Sequence, residues 1–79
     1  MRLTEAQKRI LTYLAASKGE GWEMTRWIAE CCGQWYNTPW ASSRMPSLLR
    51  NGLVEKAPGG YWRITEAGRR ALQAEGGAE

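Results

Sequence analysis

The residues able to do chemistry gather in one stretch, TPWASSRMPSLLRNGLVEK, residues 38 to 56. Thr38, Ser42, Ser43 and Ser47 bring hydroxyls, Arg44 and Arg50 bring guanidinium groups, and no carboxylate intervenes before Glu55. Hydroxyls and cations without acids donate hydrogen bonds and neutralise negative charge, which is the chemistry of contact with phosphate oxygens and base edges. Catalysis, by contrast, lacks its parts. The chain has no histidine and no aspartate, and Cys31 and Cys32 fall within a helical pattern with no base to activate them. Adjacent cysteines are poorly spaced for a disulfide and too few for structural zinc without histidine, so both read as small core or half-buried residues. Glu20 and Glu23 read as solvated loop charges. Gly59 and Gly60 lead into a strand with no lysine at its start, so they do not form a phosphate loop. The expectation is a binding protein, not an enzyme, with no metal and no cofactor.

The elements that must position these groups are legible from spacing. Thr38 has the chemistry of an N-cap and Pro39 that of a first helical residue. Ala41, Met45, Leu48 and Leu49 then form an apolar stripe of helical period, and Gly52 supplies a left-handed stop. Trp40, Ser43, Ser47 and Arg50 fall opposite that stripe, with Ser42 and Arg44 on its flanks. This outer face makes the segment a candidate recognition helix. Pro46 lies inside it, where it removes the bond to the Ser42 carbonyl and predicts a kink or a later start near Ser43.

Upstream, Leu3 to Ser17 reads as a helix opened by a Thr4–Gln7 capping box. Gln7, Ile10, Leu11 and Leu14 share its inner face with Ala15 beside them, Arg2, Lys8 and Arg9 take the other side, and Lys18, Gly19 and Gly21 end it. Trp22 to Met24 suits a short strand. A second helix follows, with Thr25 as N-cap and Trp27, Ile28, Cys31 and Cys32 turned inward. Ala29 and Gly33 have the spacing of a helix-turn-helix, although the segment QWYNTP is longer than the usual turn; it leaves room for Trp35 and Tyr36 to be exposed, or folds back to bury one or two of the aromatics Trp35, Tyr36 and Trp40 as core. Downstream, Leu53 to Ala57 and Tyr61 to Ile64 are strands joined by Pro58-Gly59-Gly60, a hairpin. Thr65 caps a last helix over Glu66 to Ala74, whose apolar content is Ala67, Ala71, Leu72 and Ala74. The core therefore spans about residues 3 to 74, with a frayed tail over 75 to 79.

Seventy-nine residues make one domain. A chain this short buries only ~60% of the surface it exposes when unfolded, so bulky side chains are needed, and the five tryptophans and three tyrosines answer that need in the absence of phenylalanine. No stretch has the length of a membrane span or the pattern of a signal peptide, so a cytoplasmic protein without membrane contact is expected. The net charge of +3 is modest, but the eight acidic residues all lie outside residues 31 to 54, which carry only Arg44 and Arg50.

The order of elements, with the phrases LTEAQKRILTYL, SSRMPSLLRNGLVEK and YWRITEAGRRAL, resembles a winged helix-turn-helix domain of the MarR-like and PadR-like kind across residues 3 to 74. The resemblance implies an α+β, mainly helical fold: a three-helix core with a β-hairpin wing and a C-terminal helix. It also implies sequence-specific binding of double-stranded DNA in transcriptional control, with the third helix in the major groove and the wing on adjacent backbone. Carried onto this chain, Ser42, Ser43, Arg44 and Ser47 match positions facing bases or phosphates, with Thr38, Trp40 and Arg50 on the same helix. Lys56 and Arg63 flank the wing. Arg44 is the candidate for a bidentate contact with guanine. The long dimerisation helices of MarR-like proteins have no counterpart, so a monomer is expected, or a weak homodimer paired through the alanines of the first and last helices.

The rival reading is a protein-binding winged helix, such as a small phage-type inhibitor that docks on a host nucleic-acid-handling defence complex. Trp35, Tyr36 and Trp40 would be its anchors. A third reading stacks Trp40 and Tyr36 on single-stranded bases.

Overall fold

A computed structural model of the chain describes residues 3–16, 22–35 and 37–75. The expectations for Arg2, for residues 17–21, for Tyr36 and for residues 76–79 lie outside this range. The protein is a small, mostly helical α+β fold in the order α1 (Glu5–Ala16), β1 (Glu23–Met24), α2 (Thr25–Cys31), α3 (Thr38–Ser42), α4 (Met45–Arg50), β2 (Val54–Ala57), β3 (Tyr61–Ile64) and α5 (Glu66–Ala74). The three strands form one antiparallel sheet in the order β1-β3-β2. Among the described residues no helix is long and apolar enough to cross a membrane.

Helix α1 begins as the capping box requires. The Thr4 amide donates to Gln7 Oε1 at 2.9 Å and the Gln7 amide donates to Thr4 Oγ1 at 3.1 Å, so two of the first-turn donors are satisfied reciprocally. Ile10, Leu11 and Leu14 of α1 are buried against Ile28, Ala29, Met45, Leu48, Trp62 and Leu72, one core shared by every helix. Helices α2 and α4 both stop on a glycine with positive φ, Gly33 at 83° and Gly52 at 74°. Each stop is a Schellman motif: Gln34 and Gly33 donate to the carbonyls of Ala29 and Glu30, Leu53 and Gly52 to those of Leu48 and Leu49.

Several local expectations are corrected. The residue before α2 is Met24, with no side-chain cap, and Thr25 is already helical. Its hydroxyl instead donates to the Gly60 carbonyl at 3.3 Å and accepts from Trp62 Nε1 at 2.8 Å, which locks the start of α2 to the hairpin turn. Trp27 and Cys31 face outward, since the inner face of α2 is set by Ile28, Ala29 and Cys32, each one residue later in the helical rotation. The helix expected over 38 to 50 is two short helices, α3 and α4, broken at Ser43 and Arg44. Asn37, not Thr38, precedes α3, with no side-chain cap, and Pro39 is its second residue. The break comes from Pro46, which has no N–H for the Ser42 carbonyl and takes the tolerated second position of α4. The break rotates α4 so that Met45 and Leu48 stay buried while Leu49, expected inside, is 41% exposed. In α5, Gly68 and Leu72 are buried and Ala71 packs beside them, while Ala67 and Ala74 are exposed.

The joint between α5 and β2 explains why GLVEK and ITEAGR occur together. Thr65 caps α5 by accepting from the Gly68 amide at 3.0 Å, and its hydroxyl donates to the Gly52 carbonyl at 2.7 Å. The Thr65 amide donates to the Leu53 carbonyl at 3.0 Å. One threonine thereby ties the end of α4 to the start of α5.

On the far side of α1, Tyr13 donates from its hydroxyl to Glu23 Oε1 at 2.8 Å, joining α1 to the β1 edge of the sheet. Burial, then hydrogen bonds to Glu23 and Cys31 and electrostatic interaction with the same groups, hold its pKa well above the usual 10.0. An acid whose pKa is raised on folding contributes stability that is complete below its unfolded pKa and declines as pH rises beyond it. The urea midpoint should therefore fall above about pH 10, and Tyr13→Phe should make that fall shallower while lowering stability near neutrality by about 1 kcal/mol.

Candidate nucleic-acid interface

The break between α3 and α4 builds a corner, and that corner carries the predicted residues. Three side chains bond back to carbonyls in the last turn of α3, where the Pro39 carbonyl also accepts from the Ser43 amide at 2.9 Å. Ser42 Oγ donates to the Pro39 carbonyl at 3.4 Å, Ser43 Oγ to the Trp40 carbonyl at 3.1 Å, and Arg44 Nη1 to the same Trp40 carbonyl at 2.8 Å. Arg44 Nη1 also donates to Ser43 Oγ at 3.3 Å, and its guanidinium carbon lies 4.8 Å from the centre of the Trp40 ring. Trp40 is half-buried and packs on the core beside Ala41. The corner is thus rigid at its base, with Ser42 and Ser43 exposed above it.

A groove of about 550 Å³ runs beside the corner. Thr4 to Gln7 of the α1 start form one wall, and Ser43, Arg44 and Ser47 form the other. Gln7 Nε2 donates to Ser47 Oγ at 3.2 Å across its floor. Ser47 is half-buried in consequence, and Thr38 is half-buried at the start of α3. Arg50, at the end of α4, is exposed and makes no hydrogen bond or ion pair among the described residues.

The two hairpin cations behave differently from each other. In the β2–β3 register Glu55 faces Arg63 and Lys56 faces Trp62. Arg63 bonds Glu55 Oε1 at 2.7 Å and stacks on Trp22 at 4.5 Å, so its charge is neutralised on the outer face of the sheet. Lys56 remains exposed, its ammonium 5.3 Å from the centre of the Trp62 ring. The structure therefore brings Ser42, Ser43, Arg44 and Ser47 together at the corner and groove. It leaves Arg50 and Lys56 as open cations and ties Arg63 away.

Helix ends hold much of the positive charge. Besides Arg44, Arg9 donates to the Cys32 carbonyl at 3.3 Å behind α2, and Arg69 donates to the Ala15 carbonyl at 3.4 Å in the last turn of α1. Lys8 and Arg70 pair with Glu5 and Glu66 one helical turn away. The open cations among the described residues include Arg26, which the sequence reading did not single out. Arg26 lies next to Thr25, the residue bound to the hairpin turn, and only the tertiary contact to Gly60 shows that neighbourhood. Of the proposed protein-docking aromatics, Trp35 is 62% exposed while Trp40 is partly covered by the core.

A second groove, also about 550 Å³, lies between α1 and α2 and is lined by Lys8, Arg9, Thr12, Tyr13 and Cys31 among others. Cys32 beneath it is buried, which raises its thiol pKa and keeps it protonated. Among the described residues no group of three or more cysteines and glutamates is placed to hold a metal ion. No protein-family model, curated protein or solved structure matches this chain.

Proposed function

We propose that this protein is a winged-helix module that binds double-stranded DNA with sequence preference, acting as a small transcriptional regulator. The observation that carries the reading is the corner, whose own segment holds no acid: Ser42, Ser43 and Arg44 stand together at the end of α3, across the groove from the α1 start with its Glu5, and Arg50 is open on α4. The helical order, the antiparallel β1-β3-β2 sheet and the glycine-tipped hairpin with its open Lys56 support it as well. In this reading the α3–α4 corner enters the major groove in place of one continuous helix. Arg44 reads a guanine, while Arg50 and Lys56 neutralise phosphates on either side. Arg63 has no part in DNA contact, because Glu55 and Trp22 hold it. A lone module of this size covers about 600–1,000 Å² on DNA, so affinity at physiological salt is modest.

The test begins with selection of duplexes from a random library, followed by fluorescence anisotropy of an enriched and a scrambled duplex at two salt concentrations. Arg44→Ala should weaken the enriched duplex by about 10-fold or more and narrow its advantage over the scrambled one. Lys56→Ala should weaken both alike and reduce the salt slope by about one. Equal, small effects of both variants on every duplex would argue against groove reading. A second reading rests on Trp35, whose exposure suits an anchor for a protein surface. A protein that enriches no duplex, but whose complex with a partner is lost in Trp35→Ala, would decide for it.

A further inference from the structure

Arg44 is held in a way that leaves one edge for a ligand. Its Nη1 is engaged twice, by the Trp40 carbonyl at 2.8 Å and by Ser43 Oγ at 3.3 Å, and its plane lies against the Trp40 ring at 4.8 Å. The remaining donors, Nε and Nη2, make no hydrogen bond among the described residues. These two are the donors that form a side-on fork, the geometry that matches two neighbouring acceptors such as guanine O6 and N7. A free arginine gives up much rotamer entropy when it docks, whereas one already seated on a ring and a carbonyl gives up little. Trp40 can act as that seat because its own body packs on the core and cannot swing away.

Resting on the DNA-binding reading, we propose that Trp40 and Ser43 are positioning residues that hold Arg44 with its Nε–Nη2 edge presented to the O6 and N7 of a single guanine. Base choice at one position then depends on a residue that makes no base contact of its own. The Trp40 carbonyl is backbone and survives any substitution, so the side-chain contributions of the ring and of the Ser43 hydroxyl are separable. A phosphate could also accept the same fork, and it differs from guanine in having no N7 to remove.

The probe is the enriched duplex with each guanine replaced in turn by 7-deaza-2′-deoxyguanosine, which turns N7 into a C–H and leaves base pairing intact. The wild-type protein should lose about 10-fold in affinity at one guanine and little at the others. Arg44→Ala should show no such loss. Trp40→Leu, which keeps apolar bulk and removes the ring face, should lower the 10-fold ratio to about twofold, while Trp40→Phe should retain most of it. Ser43→Ala, at an exposed position that does not endanger folding, should lower it part-way. A merely structural role for Trp40 would weaken all duplexes together and leave the ratio unchanged, and that outcome would overturn the proposal. So would specific binding insensitive to deazaguanine at every position, with a salt slope reduced by about one in Arg44→Ala, which assigns the fork to phosphate. Failure to enrich any duplex would instead remove the DNA-binding reading, and the proposal with it.

Discussion

Gly68→Ala should lower the stability of this protein by about 3 kcal/mol, although alanine is the better helix former by about 1 kcal/mol. The sign follows from where α5 sits. A Cβ on Gly68 would overlap the Leu53 carbonyl oxygen, lie 2.7 Å from Ile64 Cγ1 and 3.2 Å from the Leu53 carbonyl carbon. The oxygen is backbone just before β2, bonded to the Thr65 amide, so it cannot turn aside as a flexible side chain would. Either α5 lifts from the sheet or the joint among Gly52, Leu53 and Thr65 opens. For a chain of this length total stability is about 4–12 kcal/mol, so the loss is a large share of it. The melting temperature should drop by about 12–24 °C. Urea denaturation with unchanged slope is the check, and a gain in stability would mean that α5 stands off the sheet. Thr65→Ala should cost a further, smaller amount at the same joint, about 1–2 kcal/mol, and Thr65→Ser should restore most of it.

Trp62→Ala should cost about 3–5 kcal/mol, more than any other single truncation in the hairpin. Trp62 lies 6% exposed on β3, against the core on one side and beneath Lys56 on the other. Its indole N–H is also the link to Thr25 at the start of α2. Trp62→Phe separates these roles. It keeps most of the buried volume and removes the donor, so it should cost only about 1 kcal/mol. Both variants can be followed by circular dichroism during urea titration. In Trp62→Phe, hydrogen exchange at the start of α2 should quicken while the α1 core amides keep their protection, because the lost bond is local. A phenylalanine variant as unstable as the alanine one would show that the hydrogen bond, not the packing, holds the hairpin to α2.

These two residues also show what sequence alone determined and what it did not. The Thr4–Gln7 capping box, the glycine stops at Gly33 and Gly52, the hairpin turn at residues 58 to 60 and the Thr65 cap were all legible, because each depends on residues within a few positions of one another. The buried triad of α1 was legible for the same reason, its helical period being a local property. The α3–α4 corner was legible as a list of residues, since the lack of acids in the segment around Arg44 is written in the chain itself. Its geometry was not. Pro46 marked a break, but whether the helix would kink or split depended on Met45 and Leu48 reaching the core while the end of α3 was capped by Ser42, Ser43 and Arg44. Tertiary packing also decided that Trp27, Cys31 and Leu49 face outward, that Thr25 serves the hairpin instead of its own helix, and that Arg63 is neutralised by Glu55. In each case two inward choices were compatible with the local pattern, or a polar group had a local and a distant partner. Only contact between segments far apart in the chain chooses between them.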